Sequence, residues 1–129
     1  MSELTSQIFA DRIADLGLAE RRDVDHAIGE LGVGDHSLED MVRLMQRRGI
    51  VTTLQTEKIL KGDRTGYFYG DYKVLYLIGA GTFARVYRAE KKGDDSGEIY
   101  AVKVLRKRFR DEIKELEQFL REGSMGLKL

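Results

Sequence analysis

Residues 78–87 read Ile78-Gly79-Ala80-Gly81-Thr82-Phe83-Ala84-Arg85-Val86-Tyr87, and residues 100–105 read Tyr100-Ala101-Val102-Lys103-Val104-Leu105. In the first stretch a glycine-containing turn separates two runs in which apolar and polar residues alternate, a pattern typical of half-buried strands. The second stretch is apolar apart from its lysine. We therefore predict an antiparallel sheet with a glycine turn between two strands and a lysine on the next strand.

This combination of turn and lysine is suited to binding phosphate groups. Glycines let the backbone approach a polyphosphate closely, and the N–H groups of the turn can point at its oxygens. Lys103 would add a compact positive charge from the neighbouring strand. Taken alone, Gly79 and Gly81 fit an ordinary hairpin turn, and Lys103 fits a solvated strand lysine. The residues around them decide between these interpretations.

The residues after the turn resemble the small lobe of a protein kinase. In a dinucleotide-binding fold the glycines open a helix, whereas residues 86–90 alternate and favour a strand. Phe83 at the tip, Val86 after it and the run 101–103 complete the resemblance. Ala84 stands where the family has a third glycine, and it still carries an N–H group. Residues 1–66 are also similar, more distantly, to leader segments that precede some bacterial kinases of eukaryotic type.

The resemblance implies an ATP site. Lys103 would contact the α- and β-phosphates, and Glu122 on the following helix would pair with Lys103. Glu115 and Glu117 compete with Glu122 for that role. No metal ligand is expected in this chain, because the ligands of Mg²⁺ would come from the large lobe of a kinase. The cofactor-binding residues implied are Ile78, Gly79, Ala80, Gly81, Thr82, Phe83, Ala84, Val86, Ala101 and Lys103.

The C-terminal part predicts the regulatory helix of such a lobe. A basic run at residues 106–110 is interpreted as a solvated face, and an acidic helix start follows at residues 111–112. No His-Arg-Asp and no Asp-Phe-Gly motif occurs in the chain. We therefore expect the chain alone to be inactive, to bind ATP weakly and to self-associate through an exposed apolar face. The apolar positions at helical spacing are Ile113, Leu116, Phe119 and Leu120.

Residues 4–61 predict four short helices. Thr5, Ser37 and Thr52 are suited to cap helix starts, and glycines follow the ends of the first, third and fourth helices. The pattern repeats at an offset of 32, so we predict two repeated helical hairpins packed into one unit. The aligned pairs include Thr5 with Ser37, Phe9 with Met41, Ile13 with Met45, and Gly17 with Gly49.

The predicted fold class is therefore α+β in two parts. Residues 1–62 form a small helical domain, and residues 71–129 form an incomplete kinase small lobe made of an antiparallel sheet and its regulatory helix. Residues 63–70 join them as a linker. Because Tyr67, Phe68 and Tyr69 are too apolar for a free tether, we expect them to pack against one of the flanking units.

Composition excludes several other classes of function. The formal net charge is zero, which argues against a nucleic-acid binder, and the absence of cysteine excludes disulfides and thiolate zinc sites. No apolar run approaches the ~20 residues of a membrane span. We expect a cytoplasmic segment without membrane contact.

The function expected is that of the N-terminal part of a protein serine/threonine kinase, which transfers the γ-phosphoryl group of ATP to protein hydroxyls. One alternative is a non-catalytic interaction or dimerisation module, in which the helical domain binds a partner and the lobe resembles that of a pseudokinase. Another is an unrelated nucleotide-binding protein. A helix directly after Ala84 would favour this last alternative.

Overall fold

The computed structural model describes residues 3–123, with side chains described as far as residue 121. Within this range the chain folds as α+β, as predicted. A short 3-10 turn, Gly29–Leu31, follows the second helix. The elements are α1 (Ser6–Asp15), α2 (Arg21–Ile28), α3 (Leu38–Arg47), α4 (Thr53–Leu60), β1 (Phe68–Tyr69), β2 (Tyr72–Ala80), β3 (Ala84–Lys91), β4 (Tyr100–Leu105) and α5 (Lys107–Gly123).

Hydroxyl side chains cap three of the four N-terminal helices. The Oγ1 atom of Thr5 and the Oγ atom of Ser37 each accept the backbone N–H three residues on, both at 3.1 Å. At α4, Thr52 Oγ1 accepts the Gln55 N–H at 3.2 Å, and Gln55 Oε1 accepts the Thr52 N–H at 2.9 Å. This reciprocal pair is a capping box, and it satisfies two backbone donors that the helix itself leaves unpaired.

The four helices bury one apolar core. Tyr67, from the predicted linker, belongs to this core, and its hydroxyl donates to the Asp63 carbonyl at 2.7 Å. Burial raises the pKa of Tyr67 to about 12. The first linker aromatic therefore packs on the helical part of the chain. The buried core residues include Phe9, Ala10, Ile13, Val24, Ala27, Met41, Leu44, Met45 and Ile59.

The other two aromatics of the predicted linker belong to the sheet. Phe68 and Tyr69 form β1, which pairs with the start of β2, Phe68 opposite Lys73 and Tyr69 opposite Tyr72. Tyr69 also stacks on Tyr87 of β3, with ring centroids 6.1 Å apart. Part of the stretch predicted as an aromatic linker, residues 63–70, therefore adds a short edge strand to a four-stranded antiparallel meander.

Two polar side chains connect the helices to the sheet. Gln55 of α4 is buried, and its Nε2 donates to the carbonyl of Val74 in β2 at 2.8 Å. Lys73 Nζ donates to the Leu18 carbonyl at 3.3 Å and pairs with Glu90 at 2.9 Å. Because Gln55 also completes the capping box, one side chain stabilises both the start of α4 and its contact with the sheet.

The strand register assigns each residue to a face of the sheet. Gly79 lies opposite Val86, and Val86 lies opposite Lys103. In the next pair along β3 and β4, Arg85 lies opposite Val104. Since directly opposed residues share a face and successive residues alternate, Lys103 and Val86 project from one face and Arg85 from the other.

Helix α5 begins at Lys107, four residues before the acidic start predicted at residues 111–112. The first turn is therefore basic, which opposes the helix dipole. A tertiary contact outweighs that preference: the Arg106 N–H donates to Phe83 O at 2.9 Å, and the Arg106 carbonyl accepts from Phe109 and Arg110. The helix start is thus continuous with the strand that precedes it.

We predict that Gln55→Ala lowers the free energy of unfolding by about 1–3 kcal/mol, because the buried Val74 carbonyl loses its donor and the capping box is broken. Urea unfolding followed by circular dichroism measures this. Gln7→Ala is the control: Gln7 is exposed and bonds only locally to Asp11, so its loss should cost less than about 0.5 kcal/mol. Equal effects of the two changes would contradict the role given to Gln55.

Candidate functional site

The glycine turn between β2 and β3 is a tight hairpin. The Gly81 N–H donates to the Ala84 carbonyl at 2.9 Å, so Thr82 and Phe83 occupy the tip. Among residues 3–123, no acceptor takes the backbone N–H of Thr82 or of Phe83. Two consecutive backbone donors are therefore available to an anionic ligand at this tip.

Gly79 and Gly81 are not required by the backbone that surrounds them. Nine glycines of the described chain have positive φ, where a side chain is strained, and neither of these two is among them. A Cβ atom on Gly79 would meet nothing within 4 Å, and one on Gly81 would lie 3.8 Å from Ala84 O, an ordinary contact. Any need for glycine at these positions must come from a ligand or from motion of the turn.

A depression of about 360 Å³ lies beside the turn and includes Lys103. The two predicted cofactor-binding residues that do not line it are Ile78 and Ala101. Ile78 lies at a register shift in β2 and is 61% exposed, and Ala101 is exposed opposite Arg88. The structure thus brings together eight of the ten predicted residues: Gly79, Ala80, Gly81, Thr82, Phe83, Ala84, Val86 and Lys103.

Lys103 is exposed on the face that carries this depression. No carboxylate of residues 3–121 forms an ion pair with it, which includes the competing acids Glu115 and Glu117. The side chain of Glu122 lies outside the described residues, so its pairing with Lys103 stays a prediction. The ammonium group is available to a ligand at the turn.

Arg106 holds the turn, a contact that sequence reasoning missed. Its Nε donates to the Gly81 carbonyl at 3.0 Å, and its backbone N–H donates to Phe83 O at 2.9 Å. The Phe83 ring also meets the Phe109 ring edge-on, with centroids 4.6 Å apart. The strand register accounts for this contact. Because Ala84 pairs with Leu105, the next residue, Arg106, lies beside Phe83.

The loop before β4 is ordered by its own hydrogen bonds. Asp94 accepts from the Ser96 backbone at 3.0 Å and from the Tyr100 hydroxyl at 2.7 Å. The Ser96 side chain, then the Tyr100 hydroxyl and the Ser96 backbone, lower the pKa of Asp94 to about 2, and the Asp94 carboxylate is the main cause of a raised pKa at Tyr100. These shifts belong to the loop, because neither residue lines the depression beside the glycine turn.

Among the residues that the structure describes, no group of three or more His, Asp or Glu side chains could hold a metal ion. In the same part of the chain, no helix combines the length and the apolar character needed to cross a bilayer.

Part of the chain is similar in sequence to serine/threonine kinases of eukaryotes. It is 38% identical over 69 residues to a "RAC family serine/threonine-protein kinase homolog" of Dictyostelium discoideum, and 51% identical over 37 residues to "Serine/threonine-protein kinase AtPK2/AtPK19" of Arabidopsis thaliana. The matches cover 54% and 29% of this chain but only 15% and 7% of the two relatives. No protein-family model and no solved structure matches.

These matches relate the chain to serine/threonine kinases over part of its length, and the antiparallel sheet is compatible with a kinase small lobe. The strand that follows Ala84 argues against the unrelated nucleotide-binding fold, which needs a helix there. Nothing in the matches supports the resemblance to bacterial kinases.

We predict that Gly79→Ala and Gly81→Ala each change the free energy of unfolding by less than about 0.5 kcal/mol, because both positions have ordinary φ and room for a methyl group. Gly49→Ala, at φ +71° with equal room, should cost about 1–2 kcal/mol. Urea unfolding of the three variants measures the difference. If Gly79→Ala and Gly81→Ala destabilise as much as Gly49→Ala, the fold itself requires both glycines.

Proposed function

We propose that the chain is the N-terminal part of a protein serine/threonine kinase that transfers the γ-phosphoryl group of ATP to protein hydroxyls. The observation that carries the proposal is that Lys103 and the glycine turn line one depression, with the turn's unpaired Thr82 and Phe83 N–H groups at its tip. A cation and two backbone donors next to each other are suited to a polyphosphate.

Each residue then has a distinct role. The N–H groups of the tip donate hydrogen bonds to phosphate oxygens, and Lys103 neutralises charge on the α- and β-phosphates. Glu122 pairs with Lys103 and keeps it oriented, while Ile78, Val86 and Ala101 contact the adenine. Magnesium would lower the charge of the phosphates, and its ligands and the catalytic base belong to a large lobe supplied by the parent protein. The chain alone does not transfer phosphate.

The helical unit is, in this proposal, a duplicated hairpin in a cytoplasmic protein, similar to the leader segments of bacterial kinases. Equivalent contacts at an offset of 32 support the duplication. The Leu18 N–H donates to Ile13 O at 3.1 Å, and the Ile50 N–H donates to Met45 O at 2.9 Å. The glycines that precede these donors, at positions 17 and 49, both have positive φ.

A non-catalytic interaction or dimerisation module is the second candidate. It is favoured by the apolar side chains that α5 exposes, among them Leu116 and Phe119, which are 55% and 61% exposed. Such a surface suits a protein partner or a second copy of the chain. Measuring phosphoryl transfer by the parent protein distinguishes a kinase from a non-catalytic interaction module.

We predict that Lys103→Met in the parent protein lowers phosphoryl transfer by about 100-fold or more, because the α- and β-phosphates lose their charge partner. Transfer of labelled γ-phosphate from ATP to the protein itself and to an acceptor protein measures this. The melting temperature should not change, since Lys103 is exposed and has no ion-pair partner within residues 3–121.

Lys61→Met is the matched control, because Lys61 is exposed at the end of α4, outside the depression. It should retain full activity. Equal activity of the Lys103→Met and Lys61→Met variants would remove Lys103 from its role. An unmodified parent with no transfer at all would favour the interaction module.

A further inference from the structure

A second depression, of about 220 Å³, lies on the other face of the sheet. We propose that it binds a phosphate group, either inorganic phosphate or the phosphate of a modified side chain. This inference is independent of the nucleotide site described above. The residues that carry it are four cations and two aromatic rings: Arg85, Arg106, Lys107, Arg110, Tyr69 and Tyr87.

Strand register and helix geometry bring the cations together. Arg85 lies opposite Val104, so it projects from the face opposite to Lys103. Arg106 and Lys107 form the junction between β4 and α5. Arg110 is three residues after Lys107 on α5, which places the two on the same side of the helix. Three separate elements thus contribute positive charge to one depression.

The four cations form no ion pair within the described part of the chain. Within residues 3–121, no carboxylate forms an ion pair with any of the four cations, whereas Arg21, Arg48 and Lys73 elsewhere in the chain are paired. The first turn of α5 contains no acidic residue, so the positive end of the helix adds to the same field. A dianion placed here would relieve the repulsion between the four cations.

The chemistry of the lining favours phosphate over a single carboxylate. Guanidinium groups match phosphate oxygens with paired N–H donors, and three of the four cations are arginines. Tyr69 stacks on Tyr87 at 6.1 Å and is flanked by Arg85 and Arg110. The Tyr69 hydroxyl is a donor at neutral pH, because the pKa of a tyrosine is ordinarily about 10 and burial raises it further here.

Arg106 connects the two faces. Its side chain lines the basic depression, and its Nε also donates to the Gly81 carbonyl at 3.0 Å. A phosphate group bound at the basic depression would therefore contact the same side chain that holds the glycine turn.

The test is titration of the 129-residue chain with inorganic phosphate at constant ionic strength, followed by ³¹P NMR and thermal melting, with sodium chloride as the reference salt. We expect phosphate to broaden its own resonance and to raise the melting temperature more than chloride does. The double variant Arg85→Gln/Arg110→Gln should bind phosphate at least about tenfold more weakly. Without phosphate it should melt no lower than the unmodified chain, because neither arginine forms an ion pair within residues 3–121.

Two control variants locate the site. Arg43→Gln removes an exposed arginine of α3, and Lys103→Met removes the cation of the opposite face. Arg43→Gln should retain the phosphate affinity of the unmodified chain. Lys103→Met should remove only phosphate bound at the glycine turn, so the binding that depends on Arg85 and Arg110 should persist in this variant. Equal effects of phosphate and chloride would overturn the proposal. So would phosphate binding that survives Arg85→Gln/Arg110→Gln but is lost in Lys103→Met.

A phosphoserine tripeptide and its unphosphorylated form distinguish the source of the phosphate. Binding of the phosphorylated tripeptide at least as tight as that of inorganic phosphate identifies a modified side chain as the ligand. Binding of inorganic phosphate alone identifies a free anion. Binding of the unphosphorylated tripeptide with equal affinity would contradict recognition of phosphate.

Discussion

The pairing of Val86 with Lys103 in the antiparallel β3–β4 ladder determines how the sheet presents its charges. With that register, Lys103 shares a face with the glycine turn, and Arg85 projects from the other face. A shift of one residue would exchange the two faces, because side chains alternate along a strand. On β2, Gly79 lies opposite Val86, and on β4, Val104 lies opposite Arg85. The same register therefore extends across three strands. Both the candidate nucleotide site and the basic depression therefore depend on one set of backbone hydrogen bonds.

The same ladder explains why the turn and α5 are connected. Continuing the register beyond Leu105 brings Arg106 to Phe83, where its backbone and side chain both bond to the turn. The contact between Phe83 and Phe109 extends this connection into the helix. A displacement of α5 would therefore be transmitted to the turn through bonded atoms, over a distance of only a few residues.

Local patterns in the sequence were sufficient for most elements of the fold. Alternation predicted β2, β3 and β4, and hydroxyl residues predicted the starts of α1, α3 and α4, because these signals act within a few residues. The features that these patterns did not show are contacts between residues far apart in sequence. The linker aromatics Phe68 and Tyr69 form β1 because they pair with β2, and α5 begins early because Arg106 bonds to Phe83. The register shift in β2 beside Ile78 is likewise not visible in a residue pattern.

Some glycines of this chain are required by the backbone conformation, and others are not. Gly17, Gly49 and seven others have backbone angles that side chains resist, so the fold itself explains them. Gly79 and Gly81 have ordinary angles and open space, so the fold leaves them unexplained. Glycine in a strand end also has a cost, because it loses more conformational entropy on folding than alanine does. A glycine that lowers stability and is not required by the fold is expected where a ligand must approach the backbone closely. Gly29, at the end of α2, also has an ordinary φ and open space, but only Gly79 and Gly81 of these three line the depression with Lys103.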